Sequence, residues 1–206
     1  VANVTWSPSF KDTGIVLSNG NLTAQNTAGG IEYVQSQITL PATGKYYLEF
    51  EVSVTGNPAY QVGIVPSGAS LGSLVSTNNG SGYYEGSTNS GLFAVGQTSN
   101  GGLATDTGTY VVAMALDLTD ALMWAGQVAG TWIGVNGAGG TPNPATGAYG
   151  MPLSGMAAGP YYLAFSTNEN GAICALNLAG PFTLTKPSGY SALNTAGSGS
   201  GMFFGA

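Results

Sequence analysis

One stretch governs what this chain can fold into: residues 44–54, GKYYLEFEVSV. Tyr46, Leu48, Phe50, Val52 and Val54 fall on one face of an extended chain, while Tyr47, Glu49, Glu51 and Ser53 fall on the other. That period of two is the pattern of a half-buried antiparallel strand. Short apolar runs recur on both sides of it. Residues 4–8, 15–17 and 22–24 come first, with Asn19-Gly20 expected to form a tight two-residue turn because both residues accept positive φ. Residues 31–40 read as a strand ended by Pro41, and residues 59–65 as one stopped by Pro66. Residues 110–118 suit a central strand. Their Ala, Leu and Met content also suits a helix, but the β-branched start and the Thr119-Asp120 turn into residues 121–124 favour a strand. Residues 159–166 and 172–178 flank Asn170-Gly171 as a further expected hairpin. Asn-Gly recurs at Asn79, Asn100 and Asn136, and where apolar runs flank it the repetition argues for an all-β chain of many short antiparallel strands.

Between residues 67 and 108 the sequence turns Gly-, Ser- and Asn-rich, with short strands expected only at 82–85 and 91–96; residues 134–160 form a second such region. Loops of this length commonly carry binding functions. Tyr83 and Tyr84 fall in the first region, and Trp124 and Trp132 flank an irregular segment. Aromatic rings stack on sugars and anchor protein interfaces, so these four are candidate binding-loop residues; for Trp124 and Trp132 packing in the core or at its rim is the favoured reading, and for Tyr83 and Tyr84 the two readings stand level. Residues 196–201 (AGSGSG) form a flexible linker that leads to Met202, Phe203 and Phe204. This apolar tip is a candidate assembly contact with a neighbouring subunit, the alternative being a tail folded back on its own domain. The expected organisation is one domain over 1–194 and a linker with an apolar tip over 195–206.

Composition narrows the partners. A chain of 206 residues can bury roughly 70% of its unfolded surface as one domain. Its only cations are Lys11, Lys45 and Lys186 against nine acidic residues, a formal charge of −6, so nucleic acid is a poor partner. Charged residues are 6% of the chain, against about 25% in typical domains, which leaves a surface of neutral polar groups and glycine backbone suited to close contact with proteins or glycans. A hydrophobic content of 43% argues against disorder. Cys174 lies within an apolar run and reads as a small buried hydrophobe. The first residues lack the pattern of a signal peptide and no window approaches about 18 apolar residues, so synthesis in a cytoplasm without membrane insertion is expected.

Catalytic chemistry finds little footing. The chain has no histidine, which closes Ser-His-Asp and Cys-His routes and zinc sites built on Cys and His. Glu49 and Glu51 lie on one strand face about 7 Å apart, and a solvated or hydrogen-bonded face is a better reading of them than a glycosidase pair across a cleft. Asp106, Asp117 and Asp120 could offer oxygens to calcium, but turn-capping fits them better in the absence of a dense ligand loop. No cofactor is expected. The N-x-Ser/Thr triplets at Asn3, Asn21 and Asn79 carry no implication without a secretory signal.

The order of these pieces resembles the SPRY family, and more closely the SPRY-like modules of bacteriophage structural proteins. The matching pieces are Trp6-Ser7-Pro8 with residues 15–23, the strand 44–52, residues 60–64, and the Ala-Leu-Asp run ending 112–118. Residues 161–165, 175–182 and the closing Pro187-Ser188-Gly189-Tyr190 turn complete it, and Leu48 stands where the family often carries tryptophan. The resemblance implies a two-sheet antiparallel β-sandwich of concanavalin-like type with long Gly/Ser/Asn-rich loops, and a binding or structural module rather than an enzyme. The function expected is a non-enzymatic virion component that decorates a capsid or tail through contacts with other virion proteins, possible homo-oligomer formation included. The alternative is a receptor-binding or adhesion module that recognises a host-surface glycan or protein through its loops; a cellular adaptor recognising peptides is the weakest reading. The missing heptad stalk favours decoration over a fibre tip.

Overall fold

A computed structural model describes residues 3–55, 59–76, 79–85, 90–94, 97–99, 108–126, 131–134, 141–156 and 159–194. The expected all-β sandwich is present. In chain order the strands are β1 (Trp6–Lys11), β2 (Ile15–Ser18), β3 (Thr23–Asn26), β4 (Glu32–Ser36), β5 (Lys45–Val54), β6 (Tyr60–Pro66), β7 (Ser81–Glu85) and β8 (Ser90–Ala94). Then come β9 (Gln97–Ser99), β10 (Gly108–Asp117), β11 (Leu122–Gly126), β12 (Trp132–Ile133), β13 (Met151–Pro152), β14 (Tyr161–Thr167), β15 (Ile173–Asn177) and β16 (Ser191–Ala192). Helix is limited, among the described residues, to a single 3-10 turn at Pro144–Thr146.

One sheet has seven strands in the order β1-β4-β14-β6-β7-β8-β9; the other has nine and runs β12-β11-β10-β5-β15-β3-β2, with β13 beside β11 and β16 beside β5. The alternating stretch at 44–54 is central to the nine-stranded sheet. β5 pairs along its whole length with β10, from Lys45 opposite Asp117 to Val54 opposite Gly108, and on its other side with β15. Where β15 ends, β16 continues the row in parallel at Tyr46 and Tyr47. Leu48, Phe50, Val52 and Val54 are fully buried between the sheets against Val62, Ile64, Met114, Leu163 and Phe165. Each such side chain contributes about 1.5–3 kcal/mol of hydrophobic stabilisation. Cys174 lies in this core as expected, and burial pushes its thiol well up.

Several expectations need correction. The strand at residues 31–40 is only Glu32–Ser36: the Ser36 hydroxyl takes the Leu163 N–H and donates to Ile38 O, which interrupts the ladder, and the Leu40 N–H then returns to Tyr161 O of β14. The turn at Asn19-Gly20 is a four-residue connection between Ser18 and Thr23, with Asn19, Gly20 and Asn21 all at positive φ. The hairpin expected around Asn170-Gly171 is instead a crossing between sheets. β14 is already flanked by β4 and β6 and β15 by β3 and β5, so neither has an edge left for the other. Strand β11 extends through Gly126, in register with Ala113, past the point where the sequence suggests a break. Asn100-Gly101 and Asn136-Gly137 lie outside the described residues.

Candidate functional site

Alternation alone gives β5 a polar outer face, yet Tyr47 and Glu49 are fully buried. A strap from the C-terminal region covers them. Phe182 and Leu184 turn inward onto Tyr47, Ala113, Ala115, Trp124 and Tyr190, while Thr183 faces solvent. Glu49 is the anchor of this strap. Its Oε1 accepts the Tyr47 hydroxyl at 2.8 Å and the Leu184 N–H at 2.7 Å; its Oε2 accepts the Thr183 N–H at 2.9 Å and the Asn177 amide at 3.3 Å. Of the two expected roles for this glutamate, hydrogen-bonded is correct and solvated is not. The Tyr47 hydroxyl is pushed well up by burial and by its bond to the Glu49 carboxylate.

Trp124 and Trp132 belong to the same cover. Trp124 has no exposed surface, which agrees with the favoured core packing and removes it as a candidate binding-loop residue. Its indole N–H donates to Ala148 O at 2.9 Å, and its ring lies so close to Gly150 that a Cβ there would sit 2.5 Å from Cζ2. The indole thereby fastens residues 141–150 to the sheet. Trp132 is half-buried, edge-on to Tyr47 at 6.3 Å, and Phe182 meets the same tyrosine at 4.8 Å. Lys45 pairs with Asp117 at 2.6 Å below the Tyr190 ring. Burial pushes the Asp117 carboxyl up, but the ammonium and the turn N–H groups outweigh it and hold it below the ordinary range. Asp117 Oδ1 accepts the N–H groups of Thr119 and Asp120, the turn-capping role expected of it. Asp106 lies outside the described residues, and among those described no cluster of three His, Cys, Asp or Glu side chains could hold a metal.

Tyr83 and Tyr84 lie on β7, the short strand expected at 82–85. Tyr83 points into the core with no exposed surface, so its candidacy is corrected as well; its ring is 6.4 Å from that of Tyr60. Tyr84 is half-buried on the outer face of the seven-stranded sheet, beside a second small cluster of Tyr33, Val65, Ala69, Val75 and Ala164. Much of what the sequence offers as an open loop after Pro66 is a strap over this sheet. The Val75 N–H donates to Ser166 Oγ, the Ser76 N–H to Gln61 Oε1 and the Gly72 N–H to Asp12 Oδ2. The two Gly-rich regions meet where β8 lies against β13. Met202, Phe203 and Phe204 lie outside the described residues.

Many of the charges among the described residues hold main chain. Asp12, Glu32, Glu49, Asp117 and Glu169 each accept at least one backbone N–H, and Lys11 and Lys186 donate to the carbonyls of Ile15 and Tyr190. Glu51 differs. It is half-buried on the β5 outer face beyond the strap, has no ion pair or hydrogen bond among the described residues, and its carboxyl is pushed up by burial and by the charge of Glu49. Sequence reasoning grouped it with Glu49; only the path of the strap, some 130 residues later, separates the two.

No protein-family model matches the chain, and no curated protein does. Solved structures do. The SPRY domain of human HERC1 superposes with a TM-score of 0.58 at 14% identity, covering 83% of this chain and 96% of that one. The TRIM65 PSpry domain superposes with a TM-score of 0.56 at 13% identity, covering 85% and 92%. At such identities the likeness shows the fold, and the fold is that of a SPRY domain.

Proposed function

We propose that this SPRY-fold chain is a non-enzymatic module for protein contact, and specifically an accessory component of a bacteriophage particle that decorates a capsid or tail. The observation that carries the first part is the fate of the charged side chains. A general acid, base or nucleophile must be free to meet a substrate, whereas the carboxylates of Asp12, Glu32, Glu49, Asp117 and Glu169 are engaged with backbone N–H groups of this chain. SPRY domains are in general interaction modules, which supports the same reading. The second part draws on the likeness of the sequence motifs to SPRY-like modules of phage structural proteins and on a surface nearly free of charge. The apolar tip Met202-Phe203-Phe204 serves as the contact with the particle.

The experiment is an incorporation assay. Particles lacking the protein are incubated with the full chain or with a chain ending at Gly201, and bound protein is measured after sedimentation. Binding of the full chain, lost on truncation while the fold is retained, is the expected outcome. Failure of the full chain to bind any particle fraction contradicts the virion reading.

A second reading, adhesion to a host-surface glycan or protein, is favoured by the meeting of the two Gly-rich regions where β8 lies against β13. It predicts saturable binding of the isolated chain to host cells that purified host surface glycan inhibits.

A further inference from the structure

In an Asn-Gly dipeptide the asparagine side-chain amide lies open to attack by the next main-chain nitrogen, because glycine has no side chain to hinder the approach. Three such dipeptides fall among the described residues, Asn19-Gly20, Asn79-Gly80 and Asn170-Gly171, and in each the asparagine is exposed. The glycine nitrogens differ. The Gly80 N–H donates to Val75 O at 3.0 Å, and Gly80 is buried so closely that a Cβ would sit 2.5 Å from the same oxygen. The Gly171 N–H donates at 2.8 Å to the carbonyl of Asn26, a residue with no exposed surface. Gly20 is exposed, a Cβ there would meet nothing within 4 Å, and its N–H has no acceptor among the described residues.

We propose that Asn19 is a site of spontaneous deamidation in the folded chain, and that the fold protects Asn79 and Asn170 from the same reaction. A solvent base takes the Gly20 amide proton, and the nitrogen attacks Cγ of Asn19. The new N–Cγ bond forms, the bond from Cγ to the side-chain nitrogen breaks, and ammonia leaves with a proton returned by the solvent, which closes a five-membered succinimide. Water then opens the ring at Cγ to give aspartate or at the main-chain carbonyl to give isoaspartate; one water is consumed and one ammonia released. An amide held by a carbonyl does not surrender its proton until that bond opens, so the order of the three sites follows from their hydrogen bonds. The attack also swings the glycine nitrogen toward Cγ. At Asn19 this breaks only the bond of 3.1 Å from the Leu22 N–H to Asn19 O, in an exposed turn. At Gly80 and Gly171 it strips a donor from the carbonyls of Val75 and Asn26, both fully buried residues, and an unsatisfied buried acceptor is the costlier loss. Each event adds one negative charge to the formal −6 of the chain, in the connection between β2 and β3. The isoaspartate form also lengthens the main chain beside Asn21, whose carbonyl holds the Trp6 N–H at 2.8 Å. The protein thereby divides with age into two charge forms.

The inference goes beyond the proposed contact role and does not depend on it. The full chain is held folded in mildly alkaline buffer, with a parallel sample in urea, until the urea sample has converted. Peptide mass spectrometry then follows each Asn-Gly site, with chromatography to separate aspartate from isoaspartate. The expected result is conversion at Asn19 roughly tenfold faster than at Asn79 or Asn170 in the folded chain, the factor that one retained hydrogen bond supplies, and similar rates at the three sites in urea. A folded-chain rate at Asn79 or Asn170 that equals or exceeds the rate at Asn19 overturns the proposal. So does an Asn19 that stays intact in the folded chain while the urea sample converts, or a ranking in urea that repeats the ranking in the folded chain, since the fold then protects nothing.

Discussion

Replacing Glu49 with alanine is expected to release the strap and cost several kcal/mol. The wild-type carboxylate is fully buried and takes two donors on each oxygen, at 2.7 and 2.8 Å on Oε1 and 2.9 and 3.3 Å on Oε2. Hydrogen bonds to a charged group contribute about 1.5–3 kcal/mol each, and a buried donor left unsatisfied costs about 1–3 kcal/mol. The four do not add, because the strap lies at the surface and can turn Thr183 and Leu184 to water once its anchor is gone. The net loss is about 3–5 kcal/mol, a large share of the 5–15 kcal/mol typical of a domain. For a chain of this length it lowers Tm by roughly 10 °C. Glu49→Gln keeps the volume and one oxygen but turns an amide NH2 toward two donors, so about half the loss is expected. Urea unfolding followed by tryptophan fluorescence gives the stability, and hydrogen exchange at the Thr183 and Leu184 amides reports the strap directly. An alanine variant within about 1 kcal/mol of the parent, with both amides still protected, refutes the assignment of Glu49 as the anchor.

Other perturbations probe separate parts of the account. Gly150→Ala places a methyl group 2.5 Å from the Trp124 ring and is expected to destabilise by about 1–3 kcal/mol, read by thermal melting. Lys11→Ala uncovers the Ile15 carbonyl at the edge strand β2 and is expected to leave stability within about 1 kcal/mol while raising aggregation, followed by light scattering. Asp117, held below its ordinary range in the folded state, contributes stability that is present above its unfolded value of about 3.9 and lost as pH falls through the folded value. Lys45 is raised, so its contribution is present below about 10.4 and lost as pH climbs through the folded value; Asp117→Asn removes both dependences in pH-resolved denaturation. Glu51 has the opposite sign, since a raised carboxyl makes the folded state less stable as pH rises past about 4.3. Glu51→Gln is therefore expected to stabilise by about 0.5 kcal/mol at neutral pH and to lose that advantage in acid, as thermal melts at two pH values will show.

The fold was legible wherever one strand's pattern reflects one covering layer. The inner face of β5, the strand character of β10 and the burial of Cys174 follow from local periodicity and from the lengths of apolar runs. What local pattern does not encode is a third layer. Tyr47 and Glu49 read as solvent-facing because their cover arrives from Phe182 and Leu184, and no period within β5 records that. The sheet crossing at Asn170-Gly171 was hidden for a related reason: a short turn between two apolar runs looks the same whether the runs pair with each other or with strands already in place. Tyr83 and Trp124 lie on strands expected at 82–85 and 121–124, but which way their rings face was not legible, because glycine here makes room for an inward ring. Gly82 lets β6 and β7 approach closely, and Gly150 accepts the Trp124 ring. Glu51 was in view from the start but indistinguishable from Glu49 without the strap.

The central claim, that this SPRY-fold chain is a contact component of a virus particle, is tested most directly by quantitative mass spectrometry of purified particles, counting copies of the chain against the major shell protein. The account predicts a high and fixed copy number, in simple proportion to the shell protein, and release of intact particles from which the chain can be stripped. Absence of the chain from purified particles contradicts it.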